Sequence, residues 1–428
     1  VAGKADAHNH LRRRRYALRG LFGDWNQSGL DSDDRTNLIE QYCKDLNIGK
    51  TQRPTPSSVY LSADDIDNKR PHILVLGRHD IGDLQEQVLP EGTDDLIAGP
   101  GVSSRLAATI AFTEGFLAAQ TVTEEAPVNV SVLSLGETDT FAAVAPTLFL
   151  GHIDAVVVTS AVDWDPEHPT ITTGCRGRVV AELSLTSDAA VDDFMTSGAL
   201  RNPLSTMMQM LGELRDAKGR IALDGFYDRA QAPDSDLRDA WDRDGHDPNA
   251  WASTLDAQAP TGRLSSLERA SLWPGVSVLS VEAPDADGAA TPHHVKARVA
   301  FYLVPDQRHV ETAAALRDWF TERAPSSLSP HISVVAESRP YRAAADSPVL
   351  QAQSRAAYRL FGRKPILVPA GGPPGSGEVA FAARVPVAFA GIADPTHEFG
   401  TTGETLSWGR FEMAVAFAAE TLLQLRRS

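Results

Sequence analysis

The sequence predicts an α/β fold: a mixed, mainly parallel sheet with helices on both faces, interrupted by an inserted α+β domain. Three observations carry that expectation. Four short segments, Ile73–Leu76, Val128–Leu135, Ile153–Val158 and Val385–Ala390, are rich in Val, Ile and Leu and barely alternate. Strands buried on both faces of a parallel sheet read this way, because neither face meets water. Helical periodicity separates them, notably over Ser103–Ala119 and Arg410–Leu425. In the middle of the chain the pattern changes. Val179–Leu185 and Val295–Val304 alternate as half-exposed antiparallel strands do, and Pro203–Leu214 and Val310–Arg323 are amphipathic helices.

The remaining elements follow from local signals. Residues 31–50 read as a helix with Leu38, Ile39, Tyr42, Cys43 and Leu46 on one face, ending near Gly49. Ser347 is placed to cap a further helix that Gly362 ends. Residues 226–275 are loop-rich, with the acidic and polar run Asp234–Asp247. The expected division is a discontinuous α/β domain at 1–175 plus 342–428, around an inserted α+β domain at 176–341. Ligands are expected beyond the carboxyl ends of the parallel strands, where the loops gather.

Composition narrows the function. The 428 residues are 42% hydrophobic and 22% charged, close to ordinary globular proteins, so the bulk of the chain is not disordered. Asp plus Glu number 56 against 40 Lys plus Arg, a net charge of −16. That balance argues against nucleic-acid or anionic-membrane partners, whose binding rests on basic side chains meeting phosphates. The first twenty residues are the exception, with Lys4, Arg12, Arg13, Arg14, Arg15 and Arg19 against Asp6 alone. They are expected to form a solvated helix face or tail. Two cysteines, Cys43 and Cys175, cannot build a disulfide framework or a four-cysteine zinc site, so a cytoplasmic setting is expected. No apolar run approaches the length of a membrane span, and none follows the arginines as a signal peptide would.

Several blocks then fall in the order of one family. Leu74-Val75-Leu76-Gly77-Arg78-His79-Asp80-Ile81 resembles a strand-end Leu-x-x-Gly-His-x-Asp-Val motif. Pro169-Thr170-Ile171-Thr172-Thr173-Gly174-Cys175-Arg176-Gly177 resembles Pro-x-Ile-x-x-Gly-x-Arg-Gly at the entry to an inserted domain. Ser197-Gly198 with Asn202-Pro203, Gly219-Arg220-Ile221, and Gly225-Phe226-Tyr227-Asp228 follow in that domain. Leu303-Val304-Pro305 resembles Arg-Leu-Val-Pro, Gly371-Gly372 a Gly-Gly-Ser-Ile-Pro loop, and Gly403-Glu404 a terminal Asn-Glu. Together they resemble the zinc dipeptidase and deacylase family of carnosinase, aminoacylase, acetylornithine deacetylase and succinyl-diaminopimelate desuccinylase, over nearly the whole chain.

That resemblance implies two zinc ions, a water activated for amide hydrolysis, and a dimer through the inserted domain. Position by position, the implied ligands are missing. The first histidine falls on Arg78, the bridging aspartate on Ser104, and the strand-end aspartate on Ser160. The paired glutamates fall on Thr138 and Asp139, or on Glu137 and Thr138, and the terminal histidine on Gly400. An arginine cannot deprotonate, so Arg78 sets a permanent charge where a dication belongs. Tyr302 stands for the arginine before Leu-Val-Pro and Pro373 for the serine of the glycine loop, while Asn202 is retained. The expectation is therefore no cofactor and no metal.

Three readings remain open. In the first, the chain is an enzyme of metal-independent amide, ester or acyl chemistry on a small peptidic or acyl-amino-acid ligand, including bond formation or cyclisation in a biosynthetic pathway. Its candidate catalytic residues are Arg78, His79, Asp80, Ser104, Glu137 and Asp139, with Ser103, Ser160, Asn202, Tyr302, Gly371, Gly372 and His397 binding substrate. In the second, it is a pseudopeptidase acting as a binding or scaffolding homodimer. In the third, a relocated metal site uses His79, Asp80, Asp83, Asp139 and His397. Plainer roles compete at each position. Asp80 can pair locally with Arg78 or His79, and Ser103 or Ser104 can cap a helix. His397-Glu398 does not complete a zincin motif, because position 401 is Thr401, and Gly371–Gly377 lacks the lysine of a phosphate loop.

Overall fold

The computed structural model describes the chain except residues 1, 28, 64–65, 81–94, 124–125, 137–138, 149–150, 164–168, 189–190, 193–197, 231–234, 245–246, 250–263, 284–289, 394–402 and 427–428. It separates into two compact units, Val1–Gly174 with Asp234–Ser266 and Arg342–Ser428, and Cys175–Pro233 with Leu267–Tyr341. The segment 234–266, inside the insert expected from the sequence, groups with the first unit. The helix Ser235–Asp244 lies in it, and Trp241 Nε1 donates to the Leu367 carbonyl at 3.3 Å.

A six-stranded, mainly parallel sheet centres the first unit. Strand β3 (His72–Arg78) runs parallel to Asn129–Leu135 on one side and to Ala155–Val158 on the other. Val387–Phe389 continues the parallel set. At the opposite edge sits an antiparallel hairpin, β1 (Gly49–Thr55) and β2 (Ser58–Ala63), which the sequence pattern did not reveal. Asn129–Leu135 and Ala155–Val158 are buried throughout, which explains their unbroken apolar runs. Helix α3 (Ala107–Thr123) crosses the sheet so closely that a Cβ on Gly77 would lie 1.9 Å from Thr109 Oγ1. Only glycine lets α3 sit there.

The arginine-rich start is the helix α1 (Ala2–Trp25), with Arg12 and Arg13 on an exposed face as expected and another face in the core. Ala7, Leu11, Leu18, Phe22 and Trp25 form its buried stripe. Arg14 turns inward, with Nη2 3.0 Å from Glu114 of α3, and Glu114 also meets His10 at 2.6 Å and the Tyr42 hydroxyl at 2.9 Å. Burial alone would raise the Glu114 pKa, but His10 and Arg14 hold it below the usual glutamate value. Arg15 and Arg19 lie over the Trp408 ring, 5.4 and 5.7 Å from its centroid. These arginines therefore serve packing inside the chain. Helix α2 (Ser32–Leu46) starts at an Asp31–Asp34 capping box, and the helix Pro348–Phe361 ends with the Gly362 N–H on the Tyr358 carbonyl. Ser347 stands at the expected cap position but makes no side-chain cap bond there.

The second unit holds a four-stranded antiparallel sheet in the order Gly275–Glu282, His294–Leu303, Gly177–Thr186, Ser329–Ser338. Helices Pro203–Glu213 and His309–Arg323 pack on it, burying Met207, Leu316, Trp319 and Phe320. Among the described residues no helix is long and apolar enough to cross a membrane.

Removing Arg14 leaves a buried glutamate short of its guanidinium partner. Arg14→Ala should cost about 2–4 kcal/mol in urea unfolding at pH 7, and much less in a Glu114→Gln background. Because the Glu114 pKa is depressed on folding, its contribution is complete above the ordinary glutamate range and is lost as pH falls through the folded value. An equal cost for Arg14→Ala in both backgrounds contradicts the pairing.

Candidate functional site

The carboxyl ends of the central strands carry most of the candidates. The strand pleat sends Arg78 and His79 to opposite sides. Arg78 Nε donates to Asp80 Oδ1 at 2.6 Å, Nη2 to the Gly136 carbonyl at 2.8 Å, and Nη1 to the Asp139 carbonyl at 3.2 Å. One guanidinium thus gathers a carboxylate and two backbone oxygens from two strand ends. Asp80 also accepts from Arg105 Nη1, 3.4 Å from each oxygen. The side chains of Arg78 and Arg105 are 26% and 29% exposed, and that of Asp80 11%, so the two cations rim the cluster with the carboxylate beneath. The register that pairs Leu76 with Val158 brings Arg78 level with Ser160, whose Oγ is buried and has no hydrogen-bond partner among the described residues.

His79 takes no part in this cluster. It is 1% exposed, with Nδ1 2.8 Å from Ser134 Oγ and Nε2 3.1 Å from Thr36 Oγ1. Burial, aided by the charge of Arg78, pushes its pKa down to about 4. A neutral imidazole with both nitrogens engaged is a structural bridge from the sheet to α2, which answers the expectation of a catalytic His79 with a packing role. Asp139 is likewise committed. Its Oδ2 accepts from Thr55 and Ser57, both at 2.7 Å, and from Ser58. Burial raises its pKa, yet these hydroxyls and Arg78 hold it below the usual aspartate value, so it is a weak base. Its hydrogen bonds tie the turn between β1 and β2 to the end of Asn129–Leu135.

Ser103 and Ser104 open a π-helical turn, Val102–Leu106, ahead of α3. The expected serine cap is reversed here, because the serines donate and a distant carboxylate accepts. Glu404, 0% exposed, takes the Ser103 and Ser104 backbone N–H groups at 3.0 and 2.9 Å and their hydroxyls at 2.8 and 2.6 Å. The unsatisfied N–H groups at a helix start and its positive dipole end favour an anion at this place. Gly371 and Gly372 are backbone braces: the Gly371 carbonyl accepts from Val162 N–H, and Gly372 N–H donates to the Gly174 carbonyl. A Cβ on Gly372 would lie 2.3 Å from the Phe389 ring.

Asn202 and Tyr302 belong to the second unit and have local partners. Asn202 caps Pro203–Glu213 by accepting from the Ser205 N–H at 3.1 Å. Tyr302 lies under the Arg176 guanidinium, 4.9 Å away. Glu137 and His397 lie outside the described residues, as do Thr138, Asp83 and Gly400. Among the described residues, no group of three or more His, Cys, Asp or Glu side chains could hold a metal ion. Sequence reasoning missed Arg105, and it quoted Glu404 only as part of the terminal motif without giving it a role. A second arginine directly after Ser103-Ser104 was the available signal for the first.

No family model matches the chain. It is 21% identical to the Beta-Ala-His dipeptidase of Rattus norvegicus over 359 residues, spanning 76% of this chain and 71% of that protein. Among solved structures, an M20 family metallo-carboxypeptidase from Sulfolobus solfataricus superposes with a TM-score of 0.78 at 18% identity, covering 97% of this chain and 99% of that one. The dipeptidase Dug1p of Saccharomyces cerevisiae gives 0.78 at 17%, covering 100% and 98%. Human carnosine dipeptidase 1 gives 0.75 at 17%, covering 100% and 99%. The class is thereby defined: the chain has the M20 metallopeptidase fold. The resemblance to the zinc dipeptidase family is shown at the level of fold and distant sequence similarity.

The His79 environment is directly testable. Its imidazole should titrate near 4 by NMR, well below the ordinary 6.5, so that stability declines as pH falls from about 6.5 towards 4. A midpoint near 6.5 contradicts the buried, neutral bridge.

Proposed function

We propose that this chain is a peptidase-like protein that takes the carboxylate of a small peptidic or acyl-amino-acid ligand on Arg78 and Arg105, without the zinc pair that the family resemblance implies. The observation that carries this reading is the Arg78 guanidinium bridging Asp80 and the carbonyls of Gly136 and Asp139. Oxygens that could face a metal face a fixed organic cation instead. A dication about 4 Å from one guanidinium is repelled by about 8 kcal/mol at an effective dielectric of 20, and Arg105 adds a second positive charge. Zinc also wants about four N, S or carboxylate donors per ion, and Ser104 and Ser160 at family ligand positions are poor ones. The described residues do not fit the metal pair.

Two guanidiniums meet the Asp80 carboxylate at the strand ends with the Asp139 carboxylate nearby, so what they offer a ligand is N–H donor geometry rather than net charge. Arginine recognises carboxylates through parallel N–H donors, which suits the terminal carboxylate of a dipeptide or an acylated amino acid. The dipeptidase named among the relatives supports a peptidic ligand class. A second reading, metal-independent amide or acyl chemistry, has one specific support. The Ser104 hydroxyl donates to Glu404 at 2.6 Å, a hydroxyl beside a carboxylate, as nucleophilic catalysis requires. The three further hydrogen bonds on Glu404 and the burial of Ser104 favour helix anchoring over attack. A homodimer through the second unit belongs to the same proposal, and exposed Leu200, Met208, Val278 and Leu279 support it.

Isothermal titration calorimetry with N-acetyl amino acids and dipeptides, in chelator, tests the binding. Saturable binding is expected, weakened by about tenfold or more in Arg105→Met, a loss of about 1.4 kcal/mol. Turnover in chelator that disappears in Ser104→Ala supports the second reading. Hydrolysis that needs added zinc and stops in chelator contradicts both.

A further inference from the structure

The second unit contains a pocket of its own, of about 390 Å³, within the ordinary range for small-molecule sites. One wall is the turn that carries Gly225-Phe226-Tyr227-Asp228, a block the proposed function leaves unused. The other is the start of the helix His309–Arg323. Gln307 ties the two together from below. Its buried carboxamide accepts from the Val304 N–H at 3.0 Å and donates to the Phe226 carbonyl at 2.6 Å. The walls are thus held apart at a fixed distance before any ligand arrives.

The pocket presents both signs of charge. Asp224 and Asp228 are exposed on the turn, and neither carboxylate has an ion pair or hydrogen bond among the described residues. Glu311, on the helix, is shared by two guanidiniums: Arg229 Nε and Nη2 lie 3.1 and 3.4 Å from its oxygens, and Arg308 Nη1 3.4 Å. The helix begins at Arg308 with no side-chain cap bond, so its first amides and positive dipole end are open to an anion. Thr312 gives an independent sign of a ligand. A helical threonine commonly returns its hydroxyl to the carbonyl four residues back, as Thr36 does to Ser32 and Thr206 to Asn202. Thr312 lines the pocket and is only 6% exposed, yet its hydroxyl has no hydrogen-bond partner among the described residues. A buried hydroxyl left this way costs stability unless something in the pocket takes it.

A simple amine would find the two free carboxylates but also the positive end of a helix. A simple carboxylate would find the helix start and the arginines, but also Asp224 and Asp228. We propose that this pocket binds a free α-amino acid as its zwitterion. The ammonium, with three N–H donors, meets Asp224 and Asp228; the carboxylate meets the helix start beside Arg229 and Arg308; the Thr312 hydroxyl takes a remaining hydrogen bond. Phe226 and Ala315 leave apolar surface for a small aliphatic side chain. Arg78, Asp80 and Arg105 belong to the other unit, so the site stands independently of the ligand site proposed above.

Calorimetric titration of the full chain with L-norvaline tests this, with butylamine and pentanoate as the same skeleton carrying one charge each. Saturable binding of norvaline is expected, with both analogues about tenfold or more weaker. Asp228→Asn and Thr312→Val should each weaken norvaline by about threefold or more. Thr312→Val is nearly isosteric and removes a hydroxyl that has no partner to lose, so its melting temperature should not fall. Arg105→Met should leave norvaline binding unchanged even where it weakens N-acetyl amino acids, which separates failure of one site from failure of the other. Absence of saturable norvaline binding overturns the proposal. So does either analogue equalling norvaline, or an affinity that falls in Arg105→Met and stays unchanged in both folded pocket variants.

Discussion

The strand-end architecture depends on one ion pair, Arg78 with Asp80. A guanidinium held at 2.6 Å by a carboxylate, and by two backbone carbonyls, fixes three chain segments at once: the end of β3, the loop after Asn129–Leu135, and through Arg105 the start of α3. Substituting the cation would leave Asp80 with only the longer Arg105 contact and two carbonyls short of a donor in a half-buried place, a loss of several charge-assisted hydrogen bonds together. Arginine keeps its proton at any working pH, so the strand ends carry a permanent charge where relatives of this fold are known as metallopeptidases.

Two buried carboxylates then pin α3 in place. Glu404 receives the N–H groups at its leading turn, and Glu114, on the helix itself, receives Arg14, His10 and Tyr42. Each joins segments far apart in sequence, and each is satisfied by several donors, as a buried charge must be. The acidity of the chain is thus partly structural. The basic N-terminal helix is its internal counterpart, with Arg14 on Glu114 and Arg15 and Arg19 over Trp408.

Much of this fold was legible because its signals are local or periodic. The parallel strands announced themselves as unbroken Val, Ile and Leu runs, and Gly77, Arg78 and Asp80 lay in a recognisable motif. The β1–β2 hairpin was not legible, since Gly49–Thr55 is polar and half-exposed and alternates too weakly to read as a strand. Nor were the roles of His79 and Asp139. A sequence shows titratable groups at strand ends, but their partners Thr36, Ser134, Thr55, Ser57 and Ser58 come from other segments. The Ser103-Ser104 pair was read as a helix start, correctly in place, but its acceptor lies 300 residues away at Glu404. The arginine run was half legible: Arg12 and Arg13 are solvated on the helix, whereas Arg14 and Arg15 pack on a buried glutamate and an indole.

The central claim is that a guanidinium pair stands in for the metal pair. Its most direct test is elemental analysis of the purified chain after equilibration with excess zinc and removal of weakly bound ions. Less than stoichiometric zinc is expected, with the same result in Asp80→Asn. About two zinc ions per chain, released together with any amidase activity on chelation, would contradict it.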